Sequence, residues 1–289
     1  MEMATTSTYI GTCSWKYDSW RGIVYSDAKE KNFLREYSQH FSTVEVDQWF
    51  WSLFTGDKVV LPNSKVVQEY ADSVPEDFVF SIKVPNSITL THHYKKRKSD
   101  SLTANPHFLS VDVMKRFLEL LAPLGDRIGP LNFQFEYLNK QKMGGVGDFV
   151  EKFGEFITQL PAGFKYCIEI RNPNYLTNKY FDFLTATELH HVFLHGYYMP
   201  SIFDVYKQFG DKIRSLTLIR LHGGDRKEIE KQTGNKWNEI VAPKDKDLQS
   251  LATMLTDLRN KKVETFVYVN NHFEGSAPRT IARINELLK

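Results

Sequence analysis

Cysteine is scarce in this chain: Cys13 and Cys167 are the only two in 289 residues. That excludes a disulfide framework and suits a reducing compartment. Long apolar runs are missing too, none reaching the roughly 18 residues that a membrane-spanning helix requires. The opening Met1-Glu2-Met3-Ala4-Thr5-Thr6 has no basic segment followed by an apolar one, so no export signal is read there and a cytoplasmic location is expected. Neither sign of charge is in excess, since 37 basic residues against 35 acidic ones leave a net charge of +2. No global field draws such a chain to nucleic acid or to an anionic membrane, and any recognition has to be local. There is no Pro/Ser-rich linker, internal repeat or low-complexity tract, so residues 1–289 are expected to form one domain with its core from about residue 8.

What the chain does have is a recurring strand ending. Six strand-like segments close on polar or ionisable residues two apart: Glu45/Asp47, Ser81/Lys83, Asn132/Gln134, Glu169/Arg171, Arg220/His222 and Tyr268/Asn270. Side chains alternate along a strand, so each pair shares one face while Val44/Val46, Phe80/Ile82, Phe133/Phe135, Ile168/Ile170, Ile219/Leu221 and Val267/Val269 take the other. Apolar residues against helices and polar residues gathered at the strand C-termini describe a parallel barrel, and that end is where such barrels place active sites.

The order of elements agrees with that reading. Strands are expected at 9–13, 43–47, 78–84, 128–135, 165–171, 191–195, 215–221 and 264–269, the sixth resting only on the alternation of Val192/Leu194 with Phe193/His195. Helical spacing fills the intervals at 31–40, 64–73, 111–121, 149–160, 179–188, 203–209, 248–258 and 281–288, with Ser276 as the expected N-cap of the last. Two polar stretches, 86–106 and the insertion after strand seven reaching Pro243, are read as loops. The fold class is α/β, a single (β/α)8 TIM-barrel-like domain. The rival doubly wound open sheet usually carries a Gly-rich turn after strand one, and here that turn reads Gly11-Thr12-Cys13-Ser14-Trp15 without the dinucleotide fingerprint.

Glu45, Asp47, Glu169 and Arg171 are the sharpest candidate set. Carboxylates gathered in a closed mouth act as general acid and base once their environments separate their pKa values, and Arg171 is placed to orient an anionic substrate. The competing reading is a structural ion network in which Glu45–Arg220 or Glu169–Lys83 pairs neutralise one another. Arg220-Leu221-His222-Gly223-Gly224 and Asn270-Asn271-His272 close strands seven and eight, a corner where barrels bind phosphate on N–H groups exposed by glycine. Arg220 would capture the anion there and His222 would donate a proton. The plainer alternative is that the glycines only turn the chain and His222 satisfies a buried carbonyl.

Other features carry less. His195, His222, Glu45, Asp47 and Glu169 are residue types that ligate divalent ions, but Lys83, Arg171 and Arg220 bring positive charge to the same mouth and no metal-ligand spacing is present. No metal or organic cofactor is expected, a divalent cation being the weaker alternative. Four of the five tryptophans, Trp15, Trp20, Trp49 and Trp51, lie early in the chain. Trp15 and Phe50, close behind strand ends, are expected to line a ligand pocket and the rest to pack. The run His92-His93-Tyr94-Lys95-Lys96-Arg97-Lys98 suits a single nucleic-acid strand, but in a chain of net charge +2 it reads as a solvated loop, and nucleic acid is not favoured. Lys142-Met143-Gly144-Gly145-Val146-Gly147 matches neither the P-loop nor the dinucleotide pattern, and the two cysteines read as buried filler.

Taken in order, Gly11-Thr12-Cys13-Ser14-Trp15, Trp20-Arg21-Gly22, Phe41-Ser42-Thr43-Val44-Glu45-Val46, Phe78-Val79-Phe80-Ser81-Ile82-Lys83-Val84-Pro85, Glu169-Ile170-Arg171-Asn172-Pro173, Arg220-Leu221-His222-Gly223 and Asn270-Asn271 resemble the domain of unknown function 72 family of YecE-like proteins. The resemblance spans nearly the whole chain. It implies a TIM-barrel-like fold with Trp15, Glu45, Lys83, Glu169, Arg171, Arg220, His222 and Asn271 as family-motif positions at the barrel mouth, and it brings no established reaction. This chain departs from the pattern at Asp47, where asparagine is usual, at Gln134-Phe135-Glu136, which lacks a following proline, and at Trp237-Asn238, which replaces a tyrosine-containing motif.

The expected activity is that of a barrel-mouth enzyme, a hydrolase or isomerase acting on a small polar or anionic sugar or nucleotide-like ligand. Glu45, Glu169 and His222 are the catalytic candidates. Trp15, Asp47, Phe50, Lys83, Gln134, Arg171, Arg220, Asn270 and Asn271 are the substrate-binding ones. The alternatives are a metal-dependent phosphodiesterase or endonuclease and a non-catalytic protein that binds nucleic acid or a metabolite.

Overall fold

Alternation of apolar and polar residues along eight segments produces eight parallel strands that close on themselves. In the computed structural model, which describes residues 7–27, 32–95, 97 and 99–289, these are β1 (Thr8–Thr12), β2 (Thr43–Val46), β3 (Val79–Lys83), β4 (Ile128–Gln134), β5 (Tyr166–Glu169), β6 (His190–Gly196), β7 (Leu216–Gly223) and β8 (Glu264–Val269). Each strand pairs with its neighbours in chain order, and β1 closes the ring between β8 and β2. All eight expected strands are present, their ends moving by no more than a few residues as is usual at strand termini.

Register then levels the polar ends. Glu45 stands opposite Ser81, Lys83 opposite Asn132, Gln134 opposite Glu169, and Arg220 between Leu194 and Tyr268. Outward residues such as Val44, Phe80, Phe133, Ile168, Ile219 and Val267 join one large core with the helices. A smaller inward core of Cys13, Cys167, Val192, Leu216, Leu218, Phe266 and Tyr268 fills the rest of the barrel interior. Gly11 is required where β1 meets β2, because a Cβ there would lie 2.2 Å from the Thr43 carbonyl oxygen.

The helices are α1 (Phe33–Tyr37), α2 (Ser64–Asp72), α3 (Asn86–Thr89), α4 (Val111–Leu120), α5 (Val146–Ile157), α6 (Asn178–Ala186), α7 (Ile202–Phe209), α8 (Arg226–Thr233), α9 (Asp245–Asn260) and α10 (Ala277–Leu287). Side chains start several of them: Asn32, Asn63 and Ser110 accept N–H bonds of α1, α2 and α4. Lys31, the expected first residue of α1, lies outside the described residues. Among these, no helix is long and apolar enough to cross a membrane.

Two local expectations are corrected. The stretch 86–106 contains α3 and a bridge between His92 and Ala104, so it is not an unstructured loop. The insertion before Pro243 contains α8, which buries a single apolar side chain, Ile229, and so shows no apolar periodicity. Ser276 is the N-cap residue of α10, as expected, although its side chain makes no capping bond. The first N–H of the helix is satisfied instead by Asn271, whose Oδ1 accepts the Ala277 N–H at 2.9 Å.

Candidate functional site

The polar layer is built around Arg220, whose side chain is fully buried. Its Nε lies 2.7 Å from Glu45 Oε2 and its Nη2 donates to Glu45 Oε1 at 2.7 Å, a side-on pairing across the barrel. Its Nη1 donates to Glu169 Oε2 and, at 3.1 Å, to Gln134 Oε1. Glu169 uses its other oxygen on Arg171, accepting a bond from Nε at 2.9 Å with Nη2 as an ion-pair contact at 2.9 Å. Asn132 Nδ2 donates to Glu169 Oε2 at 3.3 Å, and Lys83 Nζ sits 3.7 Å from Glu45 Oε1. Of the two expected pairings, Glu45–Arg220 is present, whereas Glu169 pairs with Arg171 and Arg220 and not with Lys83.

These surroundings set the charges. Burial alone would raise the Glu169 carboxyl, but the positive charges of Arg220, Arg171 and Lys83 outweigh it and hold its pKa at about 2. Burial pushes the Asp47 carboxyl above its ordinary range; the nearby Lys83 opposes that rise and Glu45 adds to it. Burial, then the charges of Arg220, Lys83 and Arg171, hold the His222 imidazole well below its usual pKa, so it is neutral at pH 7. Cys13, 3.9 Å from His222 Nε2, is a thiol raised far above its usual range by burial.

Above the layer opens a cavity of about 300 Å³. Asp47, Phe50, Lys83, Gln134, Arg171, His222 and Asn270 line it, so seven of the residues picked out in the sequence converge on one volume. Glu45, Glu169 and Arg220 lie just beneath, with no solvent exposure. Two others are elsewhere: Trp15 is wholly buried with its ring edge on Tyr70, and Asn271 is buried as the α10 cap. His195 also leaves the mouth, its Nε2 meeting Asp247 Oδ2 of α9 at 3.2 Å. Among the described residues no three His, Cys, Asp or Glu side chains are grouped to hold a metal ion.

The wall also contains residues that the paired-ending pattern passes over. Trp51, Tyr94, Tyr197, Arg226 and His272 line the same cavity. Tyr197 follows β6, whose inward residues Val192 and Leu194 are apolar, so no polar pair flags that strand; the Gly196-Tyr197-Tyr198 turn is the one available signal. Tyr94 belongs to the basic run, of which Lys96 and Lys98 lie outside the described residues. His93 of that run is engaged with Asp57 at 2.8 Å. A separate cavity of about 480 Å³ lies at the strand N-termini beside Lys165, His191 and Arg214, far from this layer.

A family model described as protein of unknown function DUF72 matches residues 9–289. The UPF0759 protein YecE of Escherichia coli strain K12 is 26% identical over 167 residues, covering 58% of this chain and 49% of YecE. The chain thus spans about half the length of the curated relatives it matches. A DUF72 family protein of Enterococcus faecalis superposes with a TM-score of 0.67 at 19% identity, over 98% of this chain and 95% of that one. One of Thermotoga maritima gives 0.66 at 19% identity, over 97% and 98%. At such identities the likeness is one of fold.

Proposed function

Because the chain belongs to the DUF72 family of proteins of unknown function, its kinship supplies a barrel and no reaction, and we propose from the mouth itself an enzyme that moves a proton on a small anionic substrate in a hydrolysis or isomerisation. One observation carries this reading: of the three mouth carboxylates, Asp47 alone has no ion pair and no side-chain hydrogen bond to another residue among the described residues, its carboxyl being bonded only to its own backbone. Glu45 and Glu169 are committed to Arg220 and Arg171, and Glu169, held near pKa 2, is a poor proton carrier at neutral pH. Asp47 faces the cavity with its pKa raised, which suits a general acid or base.

In this reading Lys83, with its loose contact to Glu45, and Arg171 meet the substrate anion. The Gly223-Gly224 turn, with Gly223 at φ 79°, offers backbone N–H groups at the corner that binds phosphate in many barrels. Neutral His222 is the second proton-transfer group. Glu45, Glu169 and Gln134 act through Arg220 as positioning residues.

The test is a panel of phosphorylated and carboxylated sugars and nucleotide fragments, with products identified by mass spectrometry. Turnover of one of them should fall by roughly 100-fold or more in Asp47→Asn, within the usual contribution of a positioned acid or base, while substrate binding survives. Turnover unaltered in both Asp47→Asn and Lys83→Met, or no binding of any member, overturns the proposal.

A further inference from the structure

Next to the mouth lies a second, larger chamber of about 850 Å³, and the two share Tyr94, Arg171 and Tyr197. Both volumes are in the range of small-molecule sites. The second chamber is walled by Tyr137, Tyr198, Met199 and Pro173 beyond the shared residues, with Glu136 and Asn174 as its further polar members. Eight large apolar side chains are exposed among the described residues, and five of them, Trp51, Tyr94, Tyr137, Tyr197 and Tyr198, ring these two chambers. Exposed aromatics collected in one place mark a binding surface more often than scattered ones do.

Tyr197 is the hinge of the arrangement. The Arg171 guanidinium carbon lies 4.5 Å from its ring centroid, and the ring is 5.7 Å from that of His222, so Tyr197 divides the cationic chamber from the aromatic one. Its backbone is left-handed at φ 56°, a conformation that disfavours a bulky side chain, yet the chain keeps tyrosine there. The Trp51 and Tyr94 rings, 6.0 Å apart, also line the mouth, and Tyr94 lines the second chamber as well.

We propose that the aromatic chamber receives a planar heteroaromatic ring joined to the anion held in the mouth, the build of a nucleoside monophosphate; this rests on the anionic-substrate reading above. A cationic cavity and an apolar, ring-lined one that share Tyr94, Arg171 and Tyr197 as walls are complementary to a ligand with those two parts. A second sugar is a poorer match, because its hydroxyls call for a dense set of polar side chains, whereas Glu136 here is engaged by Lys142 at 2.6 Å. A heteroaromatic ring needs stacking faces and a few edge contacts, which the tyrosines and Asn174 supply.

The experiment is calorimetric titration of the full chain with adenosine monophosphate, ribose 5-phosphate and adenosine. Adenosine monophosphate should bind at least tenfold more tightly than ribose 5-phosphate. Tyr137→Ala and Tyr198→Ala, both at exposed positions that line only the aromatic chamber and checked for native circular dichroism, should each weaken adenosine monophosphate at least fivefold while leaving ribose 5-phosphate within twofold. Equal affinity for the two phosphates, or no effect of either variant, overturns the aromatic subsite and leaves the anion mouth standing. Adenosine binding that depends on Tyr137, without any binding of ribose 5-phosphate, supports the aromatic subsite and overturns the anion mouth. Absence of binding by all three overturns the inference.

Discussion

Arg220 meets Glu45 side-on, Nε to Oε2 at 2.7 Å and Nη2 to Oε1 at 2.7 Å, with neither side chain touching solvent. The two residues are 175 positions apart, on β7 and β2. Their pairing, extended by Glu169, turns the barrel's top layer into a closed ionic lattice in which each carboxylate oxygen of the two glutamates faces a cation. Such a lattice is a scaffold before it is a catalyst. A buried pair is weak evidence for net stability, but breaking one is costly because the survivor is left charged in a medium that cannot solvate it.

Arg220→Met should therefore be among the most damaging single changes in the molecule. Glu45 would keep only Lys83, at 3.7 Å, and Glu169 only Arg171 as ionic partners. Urea unfolding of the variant is expected to give a loss of about 3–5 kcal/mol. A loss below about 1 kcal/mol would show that the lattice relaxes around the missing guanidinium.

Acid should destabilise the protein in two stages. Burial, partly offset by the Glu169 charge, lowers the His191 pKa from 6.5 to about 3. The unfolded chain therefore binds the extra proton first, and this contribution, full above about pH 6.5, is lost as pH falls towards 3. Glu169, lowered from 4.5 to about 2, contributes stability that is full above about pH 4.5 and is lost as pH falls through 2. Unfolding free energies measured by urea titration should be level above about pH 6.5 and fall from there to about pH 3. His191→Gln should flatten the upper part of that slope and Glu169→Gln the lower; an unchanged slope in either variant refutes the assignment for that residue.

Asn271 and Ser276 should respond in opposite ways to alanine. Asn271 Oδ1 caps α10, and Asn271→Ala strands the buried Ala277 N–H, at an expected cost of about 1–2 kcal/mol. The Ser276 hydroxyl is buried with no partner among the described residues, so Ser276→Ala should be neutral or slightly stabilising. Thermal unfolding of both variants decides it, and equal destabilisation would return the cap to Ser276.

Much of the architecture was legible in the residues taken in order. Strand faces follow from alternation of period two, which is a local property, and this is why even the weakly marked sixth strand, seen only as Val192/Leu194 against Phe193/His195, is found at His190–Gly196. The same alternation separated inward Glu45, Lys83, Glu169 and Arg220 from outward Val44, Ile82, Ile168 and Leu221. It failed where structure is not paid for by periodic burial, as in α8 with its single apolar anchor and in the Asn271 cap, six residues from the N–H it satisfies.

Six strands each carry their own two-residue rhythm to the same terminus, and that local pattern is enough to gather a layer of charge at one end of a closed barrel. What that layer is follows from contacts across the barrel. Which cation takes which carboxylate depends on residues brought across the ring from β2, β5 and β7, and no local pattern records those distances. That long-range matching binds Glu45 and Glu169 into the lattice and leaves Asp47 facing the cavity. It also swings Tyr197 from an unremarked turn into the wall between two chambers, giving the charged mouth an aromatic neighbour.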